Sequence, residues 1–351
     1  MKANKRLFAW IVGIWALSSS AASQAQDFAL LWDRTPAAED IYVELDALFL
    51  ARDETNGTTI AALNSRGQVG RPDVLVSEEV HFDLESGFRI AAGAALSERQ
   101  SLEAVYFGIN DWTGDRASVT RPINSGLRIT AASLAIQNFA TRVSASGESE
   151  LHNGELNLRH RLRDCSCTLQ TTLITGFRFI HFGDQFDVFA LAPQPGPAIA
   201  TEQNTVETDN YNIGLQLGGV LDWHVKNFTL SATVKGLMYA NAYDSVATNT
   251  LNDPNGFFRP GQTSRVTQND DGDVEFGVGA DLGIQGSYWL TEQLSVRAGY
   301  HLIVLGSQAM GSQQLPGTAV APALGANTPN RLSETTDALF HGPSFGVVYA
   351  W

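Results

Sequence analysis

The chain has 351 residues, a formal net charge of −14 and two cysteines, with 44% hydrophobic residues. Phosphate binding needs a basic surface, so this acidic balance argues against a nucleic-acid partner. It is rich in Gly, Ala, Leu and Phe and poor in Lys, the composition of a chain that buries apolar surface.

The first element is an export address. Lys2, Lys5 and Arg6 form a positive stretch, Leu7 to Leu17 is apolar, and Ser23-Gln24-Ala25 fits a small-x-small cleavage site. The apolar run is shorter than the ~20 residues a membrane-spanning helix needs. The expected division is a signal peptide at 1–25, a periplasmic segment at 26–40 and one domain at 41–351. No long apolar run follows, so a helical membrane protein is excluded.

From residue 41 onward the pattern alternates, apolar then polar or small, as strands do. Ten segments are predicted: 41–52, 81–96, 101–112, 148–162, 167–182, 205–223, 228–243, 273–289, 294–306 and 338–351. In the sixth, Tyr211, Ile213, Leu215, Leu217 and Leu221 share one face and Asn210, Asn212, Gln216 and Asp222 the other. In the third, Val105, Phe107 and Ile109 share a face with Glu103, a conflict that predicts a bulge. The stretch 127–142 holds a short helix or an extra strand.

The connections alternate between about four residues (Ser97–Gln100, Arg163–Ser166, His224–Asn227, Leu290–Gln293) and long runs rich in Gly, Asn, Asp and Pro. Tight turns on one side and long loops on the other are the mark of a transmembrane β-barrel. The expected fold is therefore all-β, an antiparallel up-and-down barrel of about ten strands in the outer membrane. Lipid dictates closure, because each unpaired backbone group there costs several kcal/mol. Trp112, Trp223, Tyr288 and Trp289 at segment ends predict an aromatic girdle. Phe345, Val347, Tyr349 and Trp351 alternate to the last residue, a pattern that barrel-insertion machinery reads, which makes that machinery and outer-membrane lipid the expected partners. Cys165 and Cys167 sit in one turn, where a strained local disulfide is the favoured reading.

The stretches Gly176–Asp187, Thr208–Gly219, Lys235–Ala242 and Leu294–Gly306 resemble a family of bacterial outer-membrane barrels without an assigned activity. The turn Leu290–Tyr300 is similar to turns of many small barrels of this kind. The resemblance implies fold and location and carries no catalytic residues.

Face assignment puts Glu44, Asp46, Glu85, Glu155, Glu275 and Asp281 inside, with Arg89, Arg159, Arg161, Arg178, Lys235 and Arg297. Balanced charges in a narrow lumen are expected to pair, because an isolated buried charge is costly. Such a barrel is either plugged and structural or a narrow pore for small polar solutes and ions. A hydrolase at the rim would use His181, Asp184, Asp187, Asp209, Asp244, Asp337 or His341, and a binding barrel would use its long loops. Asn269–Asp273 resembles a calcium loop but lacks its spacing, so it reads as a polar turn, and Ala190–Ala200 reads as flexible surface. Neither cofactor nor metal is expected: phosphate-cradling and serine-elbow motifs are absent, and Cys165 and Cys167 have no second pair to complete the four ligands zinc takes.

Overall fold

The computed structural model describes residues 41–54, 58–63, 73–121, 127–129, 139–162, 168–257, 263–315 and 335–351. The expected signal peptide, the 26–40 segment and both cysteines lie outside them. The strands are β1 (Ile41–Glu54), β2 (Thr59–Leu63), β3 (Asp73–Val76), β4 (Phe82–Ser97), β5 (Gln100–Thr113), β6 (Ala117–Thr120) and β7 (Leu127–Ile129), then β8 (Arg142–Arg161), β9 (Leu169–Pro193), β10 (Ile199–Val225), β11 (Phe228–Asn252), β12 (Ser264–Trp289), β13 (Leu294–Ala309) and β14 (Thr335–Ala350).

Ten of them close a ring. From β1 the order runs through β4, β5, β8, β9, β10, β11, β12, β13 and β14 back to β1, every pair antiparallel. These are the ten predicted segments, and closure leaves the membrane-embedded sheet without an edge. The outward face carries an apolar band. Phe177 is 66% exposed, Ile213 63%, Leu217 60% and Phe276 70%, values that make sense only against lipid. Phe345, Val347 and Tyr349 belong to the same outward face.

The wall is uneven in height. Strands β9 to β12 have 25 to 27 residues, whereas β1, β4, β5, β13 and β14 have 14 to 16. A tilted spanning strand needs only ~9–11 residues, so the long ones project beyond the membrane on the loop side. This corrects two expectations, and a third resolves to its strand alternative. Ala190–Ala200 is the tip of the β9–β10 hairpin, with Pro193 in register with Ile199. Asn269–Asp273 lies inside β12, in register with Tyr243–Ala247 of β11. Of 127–142, Leu127–Ile129 forms the short β7, which joins β2 and β3 in a small separate sheet.

Two irregularities redirect side chains inward. The β5–β8 register shifts between Ile109 and Trp112, and Asp111 there has φ 60°. An inserted residue flips every side chain beyond it to the other face. Trp112 therefore points inward, fully buried, and is not part of a girdle. On β13, Ser307 has φ 54° and the register with β14 shifts between Leu305 and Gln308. Beyond it Gln308 and Ala309 still pair with Thr336 and Thr335 of β14; past Ala309 the chain leaves the wall, and Met310 and Leu315 are buried in the core.

Inside the barrel, Tyr239 is flanked in register by Gly214 on β10 and Gly277 on β12, and its hydroxyl donates to Gly306 O at 2.7 Å. The ring occupies the space that a Cβ at Gly277 would need. Gly277→Ala is thus expected to destabilise the barrel by about 1–3 kcal/mol through overpacking. The check is denaturant unfolding in micelles, and the same substitution at the open Gly154, which meets nothing nearby, should cost less.

Candidate functional site: a lumen in two zones

The turn-side half of the lumen is polar. Glu44 and Asp46 on β1 bind Arg89 on β4 at 2.8 and 2.9 Å, and Arg297 on β13 reaches Glu44 at 2.8 Å and Asp46 at 2.5 Å. On the other wall Arg178 of β9 meets Asp281 of β12 at 2.7 Å, and Lys235 of β11 spans Glu155 of β8 at 3.0 Å and Asp281 at 3.2 Å. Glu155 also accepts from Asn157 at 3.0 Å and Gln216 at 2.8 Å. Its side chain is 1% exposed and that of Arg178 2%, so amides and cations replace the water these groups have lost. The third cluster joins Arg159 and Tyr42 to Glu103, each at 2.5 Å.

These clusters bring together nine residues assigned inward from the sequence and add Glu103 and Tyr42. Glu103 is inward because Val105 and Phe107, its companions on β5, are buried in the lumen rather than facing lipid. One signal pointed to it. Arg159 needs a counterion, and Glu103 stands in register with Asn157, two residues away. Of the remaining assigned residues, Arg161 lines the cavity mouth, Glu85 is in register with buried Leu50, and Glu275 accepts from Thr335 at 2.8 Å. They join none of the three clusters.

A cavity of about 360 Å³ lies among these groups. Its lining runs from the turn ends at Ser97, Arg99 and Trp289 to an apolar roof of Leu48, Leu50, Phe107 and Ile303. Above the roof the lumen is filled. Trp112 and Phe340 stack with centroids 5.6 Å apart, and Phe182 meets Phe340 edge-on at 5.3 Å. The Trp112 indole donates to Leu50 O at 3.0 Å, which satisfies its one polar atom. Ile60, Ala61 and Leu75 of the small sheet pack into the same cluster, as do Met310 and Leu315 of the strap that follows β13.

One ion pair sits within this apolar fill. Arg52 and Asp184 lie 2.5 Å apart with both side chains 0% exposed. Ser149 bonds both partners, and Gly311 of the strap donates its N–H to Asp184 at 2.8 Å. The guanidinium also lies over the Phe82 ring, 4.2 Å from its centroid. Asn210 clamps the strap a second time, accepting from the Ala309 N–H at 2.7 Å and donating to its carbonyl at 2.8 Å.

The rim residues do not converge across the mouth. His181 bonds Asp209 at 3.0 Å on neighbouring strands β9 and β10, beside the Tyr211 ring. His341 bonds Asp53 at 3.1 Å on β14 and β1. Both pairs stand on the outward-facing register, with apolar Phe179, Ile213 and Phe345 on that face below them. Asp184 is inside with Arg52, and Asp187 accepts from Gln185, Gln203 and Thr205. Asp244 lies on β11 and Asp337 on β14. Among the described residues no group of three or more His, Cys, Asp or Glu is placed to hold a metal ion.

None of the curated proteins matches the chain. Among solved structures it is similar to the outer membrane protease OmpT from Escherichia coli, at 9% identity and a TM-score of 0.49, over 90% of this chain and 97% of that one. It is also similar to a major outer membrane protein from Thermus thermophilus, at 10% identity and a TM-score of 0.34, over 90% of this chain and 100% of that one. A third is the translocator domain of autotransporter NalP from Neisseria meningitidis, at 9% identity and a TM-score of 0.31, over 98% of each chain. Likeness at this level carries nothing about activity. A family model described as "Putative beta barrel porin-7 (BBP7)" matches residues 30–351. With a closed ring of ten antiparallel strands and an apolar outer band, the chain belongs to that family and is a bacterial outer-membrane β-barrel.

Proposed function

We propose that the protein is a non-enzymatic barrel that closes the membrane in this conformation. Its charged vestibule takes up small polar solutes from the turn side, the periplasmic side in such barrels. The observation that carries this reading is the division of the lumen: a paired-charge cavity of about 360 Å³ ends at a packed apolar fill. An apolar constriction stops ions without a steric wall, because they cannot keep their water there. The fill is held by side chains and by one strap, 308–315, bound through Asp184 and Asn210. A barrel closed by a strap can open when the strap moves. Lipid is the partner of the outward band, and the alternation Phe345, Val347, Tyr349 supports engagement by insertion machinery. The rim histidine pairs lend no support to hydrolysis, since each joins neighbouring strands on the outward face.

The test is single-channel conductance in a planar bilayer. The full chain is expected to stay silent at ordinary voltages. A variant with Gln308–Leu315 replaced by Gly and Ser residues is expected to give stable openings, whose ion selectivity changes when Arg178 and Arg297 become Ala. Stable openings from the unaltered chain, with that same selectivity change, would overturn the closed reading.

A further inference from the structure

The strap leaves a second mark on the fold. Strand β12 pairs with β13 only from Gly279 to Trp289, because β13 turns away from β12 after Leu305, at Gly306 and Ser307, while staying paired with β14 as far as Ala309. Among the described residues nothing pairs with the β13 side of β12 from Ser264 to Val278, although its other side pairs with β11 without a register shift. The opposite flank of the tall wall is treated differently, since β6 covers the top of β8.

The direction of the open groups follows from two contacts. Ser307 Oγ donates to the carbonyl of Phe276 at 3.3 Å, and that of Val278 closely approaches Gly306, so even-numbered residues point toward the missing neighbour. With period two, Val266, Gln268, Asp270, Gly272 and Val274 do the same. Two of these N–H groups are covered locally: Gly272 donates to Asp271 Oδ1 at 2.9 Å and Val274 to Asp273 Oδ1 at 2.7 Å. Register places the upper part of this edge, from Ser264 to Gly272, beyond the lipid band. Gly272 aligns with Asp244 and Asp209, one step above Tyr211, where the outward face turns from apolar to acidic.

We propose that the upper edge of β12 accepts an extended, cationic peptide segment of a partner protein as an added strand. Backbone pairing supplies the affinity of such additions, and side chains beside the strand supply the selection. Here those side chains are Asp270, Asp271, Asp273 and Glu275, so lysines or arginines at alternate positions fit. A cation that takes the Asp271 or Asp273 carboxylate also releases the N–H group it covers, which opens the edge as the partner arrives. Carboxylates on a bare edge further discourage pairing with another copy of this acidic chain.

The probe is a fluorescent nine-residue peptide of alternating Lys and Val, titrated against the full chain refolded in non-ionic detergent and followed by anisotropy. Saturable binding is expected. Two changes should each weaken it by about tenfold, because each removes backbone donors and keeps the peptide's charge. They are N-methylation of alternate peptide residues and Gln268→Pro, which the edge tolerates since its N–H faces away from β11. Asp271→Asn with Asp273→Asn should weaken binding too. Heat-modifiable mobility checks that each variant is a folded barrel. Absence of binding, or binding untouched by both N-methylation and Gln268→Pro, overturns strand addition. Concentration-dependent dimers abolished by Gln268→Pro would assign the edge to a second copy instead.

Discussion

Asp184→Ala is expected to lower the unfolding free energy by about 3–5 kcal/mol, the usual consequence of removing one partner from a buried ion pair. Both side chains are fully buried, and the guanidinium of Arg52 would remain among Phe82, Phe182 and Met310 without its carboxylate. The pair itself is not the reason the site is stable. Taking both charges out of water costs about what their attraction returns, so Arg52→Met with Asp184→Leu should recover most of the loss. The measurement is guanidinium unfolding followed by tryptophan fluorescence, since Trp112 lies within the same fill. A single variant within about 1 kcal/mol of the unaltered protein would show that water or Arg52's other partners hold its charge. The strap N–H of Gly311 loses its acceptor in the same variant, so Asp184→Ala should also conduct intermittently.

The second large effect is expected at Glu155. Replacing it by Ala leaves Arg178 and Lys235 sharing Asp281 alone among the ion pairs of that cluster. One excess positive charge in a region this dry should again cost about 3–5 kcal/mol. Glu155→Gln with Lys235→Met keeps the amide contacts and restores neutrality, and should return most of it. The Glu155 cluster and the Arg52 pair share no residue, so the losses in Asp184→Ala and Glu155→Ala should add to within about 0.5 kcal/mol. Marked non-additivity would mean that the fill and the vestibule yield as one unit.

Much of the ring was legible because a strand's period of two is local and lipid enforces it. Ile213, Leu215 and Leu217 face outward and Asn212 and Gln216 inward, as their alternation required. Strand ends were misread where the environment changes and the backbone does not. On β9 the outward residues run from Phe177 and Phe179 to Gln185 and Asp187, while the inward ones run from Arg178 to Phe182, Phe186 and Val188. The strand keeps its phase, but the hydrophobic pattern inverts at the membrane boundary. A reading by hydrophobicity therefore stops near Phe182, where the structure continues to Pro193.

The charged clusters divide along the same line. Glu44, Asp46, Arg89 and Arg297, and likewise Glu155, Arg178, Lys235 and Asp281, were readable as inward because apolar neighbours on the opposite face gave the phase. Glu103 was hidden by Val105 and Phe107, which look like a lipid-facing set and form part of the lumen instead. Arg52 and Asp184 were hidden because they are 132 residues apart and meet only when the ring closes.

Alternation and loop rhythm thus determined the barrel, its strand pairing and most of its inward charges, since each depends on spacing along one strand or one hairpin. The tertiary structure alone decided that an apolar fill packs the loop-side half of the lumen. That outcome rests on a bulge at Asp111 that turns Trp112 inward and on the register shift of β13 at Ser307, where it parts from β12. Both are single-residue changes of backbone direction whose result depends on what already fills the space across the barrel.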